Sequence, residues 1–215
     1  MRTSTLPAVG FDRFVELDWA EYALELAMAE KDSKILRAWL EDKISGEVSA
    51  RKTSNVLTNL WLKTYPETGH LRERALILAR ETTLQDHMVL HWGMALANFP
   101  FFCNTTATIG RLMRIQGHFQ VKEVSQRMLE TNSNQGTVLR MVARIVQSLH
   151  NWNILEAIGK RQYKAVPDIE VVNTDLLGWL FHAALNAERD RHWVLLDVLR
   201  LPELFPFDVA GNGMA

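Results

Sequence analysis

The stretch QGTVLRMVARIVQSLH, residues 135–150, carries two stripes at helical spacing. Val138, Val142, Ile145 and Leu149 recur at four, three and four residues, which makes one continuous apolar line. Thr137, Arg140, Arg144 and Gln147 recur at three, four and three. At about 100° per residue the mean directions of the two lines differ by roughly 150°. A helix divided in this way locks into a core by one face. It presents hydrogen-bonding and cationic side chains on the other.

The flanking sequence places that helix in a larger unit. Before it, Thr131, Asn132, Ser133 and Asn134 form a polar turn, and Ser133 or Asn134 is a suitable N-cap. Ahead of the turn, Val121, Val124, Met128 and Leu129 supply the buried face of a first helix. A further helix over 105–116 precedes it, stopped by Gly117, and Pro100 ends the apolar helix expected over 84–98. After the helix, Trp152, Ile154 and Leu155 return the chain to the core. Two short β segments follow, 154–158 and 162–166, with Gly159 and Lys160 at the bend. The order helix, turn, helix, hairpin predicts a winged helix-turn-helix over 105–172. The chain as a whole is mainly α, with an N-terminal helical bundle over 1–104. A C-terminal helix and an extended apolar tail occupy 173–215.

Such a helix presents chemistry suited to a major groove. Arginine bonds the two acceptors of guanine bidentately, glutamine or asparagine does so with adenine, and threonine meets a phosphate or a thymine methyl. The expected contacts are Ser133, Asn134 and Gln135 at the helix start and Thr137, Arg140, Arg144 and Gln147 along its face. Lys160, Arg161 and Lys164 on or beside the wing are expected at phosphates or a minor groove. Arg51 and Lys52, read as a second basic helix start near Thr53, Ser54 and Asn55, add phosphate contacts or form a solvated first turn. An arginine stripe is also the pattern of an ordinary solvated face, and winged helices also serve as protein-interaction modules.

Charge distribution favours the first reading. Residues 111–164 hold nine basic and three acidic side chains, a surplus of +6 inside a chain whose formal net charge is −1. The remainder has 15 basic and 22 acidic residues. A cationic module displaces counterions from a phosphate backbone, so its binding weakens with salt.

Hydrophobic residues make up 47% of the 215, enough to bury a core. The one cysteine, Cys103, permits no intrachain disulfide or multi-cysteine zinc site and fits a reducing compartment. Residues 1–10 lack the basic start and apolar core of a secretory signal. The longest apolar run, 88–103, is interrupted by His91, Asn98 and Pro100 and is too short to span a bilayer. A cytoplasmic protein without a membrane role is expected.

His87 and His91, four residues apart, lack the glutamate of a metalloprotease motif and an obvious third ligand, so they read as a packed or capping pair. Gly110, Gly117 and Gly136 are isolated and make no phosphate loop. No nucleophile elbow or apolar carboxylate pair is present, so no enzyme activity, cofactor or metal is expected. The seven tryptophans sit among apolar residues, as core anchors do.

The stretch 119–166 resembles the winged-helix core of many bacterial DNA-binding proteins. The whole chain resembles the BrxA-type small helical proteins of bacteriophage-exclusion (BREX) defence systems. It shares with them an N-terminal helical part, a basic helix near Arg51–Trp61 and a C-terminal winged-helix-like part. That resemblance implies an accessory or regulatory protein that binds double-stranded DNA in phage defence, alongside other subunits of a defence complex. The tail 201–209 has no counterpart in that pattern. An adaptor subunit, docking on partners through the winged helix and the tail, is the alternative.

Overall fold

The computed structural model describes residues 10–132, 134–166, 169–187 and 195–209. It is mainly helical with small sheets. The first half contains α1 (Leu17–Met28), α2 (Ser33–Lys43), α3 (Glu47–Leu57), a π-helical turn (Thr58–Leu62), α4 (Gly69–Glu81) and α5 (His87–Asn98). Asp32 caps α2 by accepting from the Lys34 N–H. Gly46, at φ +96°, takes a conformation that favours glycine, and its carbonyl accepts from the N–H groups of Ser49 and Ala50. Helix α3 therefore begins at Glu47, and Arg51 and Lys52 lie in its middle rather than at a helix start.

All twelve residues of α5 are buried, which makes it the central helix. Its polar members are satisfied. The Asn98 amide donates to the carbonyls of Asn59 and Leu60 in the π turn and accepts from Thr68 Oγ1. The turn's carbonyls thus find a partner inside the core.

Pro100 does not simply close α5. It opens α6 (Pro100–Gln116), one residue further on, as the first helical residue. Proline suits that position because its fixed φ is already helical and the missing N–H would be unpaired there anyway. Residues 100–104 therefore belong to the same helix as 105–116. Gly117, at φ +74°, ends it.

Next come β1 (Phe119–Gln120), α7 (Val121–Leu129), α8 (Gln135–Asn151), β2 (Leu155–Gly159) and β3 (Gln162–Ala165). A reciprocal capping box between Gln120 and Glu123 opens α7. The three strands form an antiparallel sheet in the order β1-β3-β2. Lys160 and Arg161 make the tight turn, with Arg161 at φ +57°.

The remainder contains β4 (Ile169–Glu170), α9 (Thr174–Ala187), the short α10 (Leu195–Val198), a 3₁₀ turn (Pro202–Leu204) and β5 (Phe207–Asp208). Strand β5 pairs in parallel with β4. The tail is thus not simply extended. Pro202 starts a helical turn, and the backbone beyond it finds a strand partner. Its apolar residues Leu201, Leu204, Phe207 and Val209 are buried. Trp92 of α5 donates its indole N–H to the Glu203 carbonyl and meets the Phe205 and Phe207 rings edge-on. Helix α9 lies on α5 where Gly93 admits the Trp179 ring; a Cβ there would stand 2.5 Å from it.

Trp61, Trp92, Trp152 and Trp179 are buried, and Trp19 and Trp39 pack partly buried against the same core. Trp193 lies outside the described residues. No helix among the described residues is long and apolar enough to cross a membrane.

Candidate nucleic-acid interface

Helix α8 is capped by Asn134, whose Oδ1 accepts from the Thr137 N–H. The preceding turn is spent on the end of α7, where Thr131 and Asn132 both donate to the Met128 carbonyl. Asn134 is therefore a cap first, and Ser133 lies outside the described residues.

Val138, Met141, Val142, Ile145, Val146, Ser148 and Leu149 form the buried face of α8. Gln135, Arg140, Arg144 and Gln147 are exposed, with Thr137 half-buried. The two sequence stripes separate as their angles require. Both guanidiniums bond within the helix. Arg140 Nε donates to the Gly136 carbonyl at 3.1 Å, and Arg144 Nη1 donates to Gln147 Oε1 at 2.8 Å. Each guanidinium uses one N–H group in these bonds and has four others.

The β2–β3 turn presents Lys160 and Arg161, both exposed. It is held close to the helices, because the Arg161 carbonyl accepts from the Val121 N–H at 3.0 Å. Lys164 behaves differently. It faces Glu156 across the ladder and its Nζ pairs with that carboxylate at 3.0 Å. Alternation along β3 sends Lys164 to the opposite side of the sheet from Tyr163. Tyr163 lines a cavity beside α8, whereas Lys164 lines one between α6 and the tail. The structure therefore separates Lys164 from the α8 stripe. Arg51 and Lys52 are exposed on α3, which packs on α1 and α2.

Residues outside the expected contact set border the same surface. Phe14, His150, Asn151, Asn153 and Tyr163 join Arg144 and Gln147 around a cavity of about 600 Å³. His150 continues the exposed stripe three residues beyond Gln147 and was open to detection by spacing. Phe14 and Tyr163 arrive from distant segments.

The histidine pair is packed, and it gains a partner from α1. Glu21 Oε1 lies 2.7 Å from His87 Nδ1, and Oε2 lies 3.0 Å from His91 Nε2. Trp61 Nε1 is 3.0 Å from His91 Nδ1, and an indole only donates, so that nitrogen is the acceptor and His91 is neutral with Nε2–H toward Glu21. His87 Nε2 is 3.0 Å from the Ala79 carbonyl, which only accepts, so His87 donates through both nitrogens and is a cation. Burial works to raise the Glu21 pKa, but the hydrogen bonds from the two histidines and the positive charge of His87 outweigh it and bring it down to about 2. The Glu21 bond raises His87 against the opposing effect of burial, while burial lowers His91. Among the described residues, no group of three or more His, Cys, Asp or Glu side chains is arranged to hold a metal.

Comparison with known protein families, with curated proteins and with solved structures finds no match to this chain.

Proposed function

We propose that this chain is a non-catalytic, DNA-binding accessory or regulatory protein in which α6 to β3 form a winged helix-turn-helix. The observation that carries the reading is the outward stripe of Thr137, Arg140, Arg144 and Gln147 on a helix packed firmly by its other face, with the cationic Lys160–Arg161 turn in the same unit. The element order helix, strand, helix, helix, hairpin, with a sheet ordered β1-β3-β2, is the order expected of such a module. Arg140 and Arg144 read base edges or phosphates, and Lys160 and Arg161 neutralise the backbone. Lys164, paired with Glu156, contributes less. The resemblance to BrxA-type proteins extends the proposal to a role in phage defence, in the cytoplasm and beside other subunits.

The adaptor reading keeps the exposed surfaces but loses much of the tail as a docking segment, because Leu201, Leu204, Phe207 and Val209 are already buried within this chain.

The test is duplex binding by the full chain at two salt concentrations. Arg140→Ala with Arg144→Ala is expected to weaken binding at least about tenfold and to flatten the slope of log K against log salt by about 2. Binding that keeps both its strength and its slope in the double variant would remove the assignment.

A further inference from the structure

The cavity beside the C-terminal half of α8 is built, and its walls have a consistent chemistry. One wall comes from the N-terminal segment. The Val15 N–H donates to Ser148 Oγ at 2.9 Å, Trp152 Nε1 donates to the Val15 carbonyl at 3.0 Å, and the Leu17 N–H donates to Asn151 Oδ1 at 2.9 Å. These three bonds fix the chain directly after Phe14, which lines the cavity and rests edge-on against Trp19. Tyr163 also lines the cavity, stacked on Phe119 and set edge-on to His150. His150 Nδ1 donates to the Leu155 carbonyl at 2.8 Å, which fixes the ring and leaves Nε2 as its other polar atom. Asn153, at φ +56°, adopts the left-handed conformation that asparagine tolerates. Arg144 and Gln147 border the cavity from α8.

The volume, about 600 Å³, is in the range of small-molecule sites. Its described lining offers one permanent cation, three side-chain amides and two aromatic walls, with no carboxylate among them. An apolar ligand would cut off from water those donors and acceptors of the amides and the guanidinium that are not already bonded within the chain. A cation would face Arg144 without a counter-charge. A bare phosphate would leave the aromatic walls unused. A ligand that satisfies all three features is flat and aromatic, carries donors and acceptors on its edge, and bears an anionic group.

We infer that this cavity binds a nucleoside monophosphate unit, its base against the aromatic lining of Phe14 and Tyr163, its edge at the Asn and Gln amides and its phosphate at Arg144. The unit comes either as a free nucleotide or as an unstacked residue of a single strand. The inference rests on the cavity alone and goes beyond duplex binding by α8. It stands or falls separately from that reading.

The experiment is calorimetric titration of the full chain with each of the four common ribonucleoside 5′-monophosphates, with a single-stranded trinucleotide and with inorganic phosphate. At least one mononucleotide, or the trinucleotide, is expected to bind with a dissociation constant below about 1 mM. Saturation by a mononucleotide assigns a free nucleotide as the source; saturation by the trinucleotide alone assigns a strand. Asn151→Asp keeps an acceptor for the Leu17 N–H and puts a negative charge into the cavity lining, where it repels a phosphate, and it is expected to weaken binding at least tenfold. Phe14→Leu, a second and milder change, is expected to weaken it several-fold. Arg140→Ala, outside the lining, leaves nucleotide binding unchanged while it weakens duplex binding. Failure of every nucleotide probe to bind, binding indifferent to both cavity variants, or phosphate binding as tightly as the nucleotides would overturn the inference.

Discussion

At the scale of single residues, Glu21 shows how a carboxylate is kept charged beside a core. It sits between two histidines whose other nitrogens are committed to Trp61 and Ala79, so each ring has one role. The two rings respond to pH in opposite senses. His87 has a raised folded pKa, so its contribution is fully present below the ordinary histidine value of 6.5 and is lost as pH rises through the raised one. His91 has a lowered folded pKa and is neutral in the fold, so acidification below 6.5 favours the unfolded chain, and His182 acts in the same sense. Glu21 contributes above its ordinary value of 4.5 and loses its contribution only as pH falls toward about 2. The histidine contributions therefore give greatest stability near pH 6.5. Glu21→Gln is expected to lower stability by about 3 kcal/mol near that pH, because it leaves the buried cation without its counter-charge. It should also flatten the decline on the alkaline side, which urea midpoints at intervals from pH 6 to 9 will read. An alkaline limb of unchanged steepness in the variant would contradict the assignment of His87 as the cation.

At the scale of elements, small residues decide which helices meet. Gly110 of α6 lies directly under the chain at Pro202, and a Cβ there would fall onto the Pro202 carbonyl oxygen. Backbone cannot step aside as a flexible side chain does. Gly110→Ala is expected to cost about 2 kcal/mol or more through displacement of the 3₁₀ turn from α6. Gly136 is the converse case. It lies in the first turn of α8 with nothing near enough to obstruct a Cβ. Gly136→Ala is expected to add about 0.5 kcal/mol by reducing the freedom of the unfolded chain and favouring the helix. Denaturant midpoints of the two variants, moving in opposite directions from the parent, are the check.

At the scale of the whole molecule, the core is continuous from Phe11 to Val209. The N-terminal segment is bonded to Ser148, Asn151 and Trp152 at the end of α8, and α6 runs across residues 100–104 into the following unit. Such cross-connections couple the helical half to the α8 region. Urea unfolding followed by tryptophan fluorescence and by far-UV circular dichroism is expected to give coincident transitions. Deletion of 201–215 should uncover Trp92 and the α6 face and lower the thermal midpoint by several degrees, since about 1 kcal/mol is worth about 2–4 °C at this size. Two separated transitions in the full chain would show instead that the 105–172 unit unfolds independently.

The sequence by itself determined where most of the helices lie and the division of α8, though not the starts of α3 and α6. Val138 to Leu149 and Thr137 to Gln147 are local patterns, and local spacing sets the face on which a side chain emerges. The β2–β3 turn was legible for the same reason, within a residue. The tertiary structure alone decided what lies opposite each face. Glu21 reaches His87 and His91 across more than sixty residues, Phe14 reaches the end of α8 across more than a hundred, and Lys164 is drawn to Glu156 by strand register. Register and helix packing are settled by the joint burial of surfaces far apart in the chain, and no spacing rule within one segment contains that information.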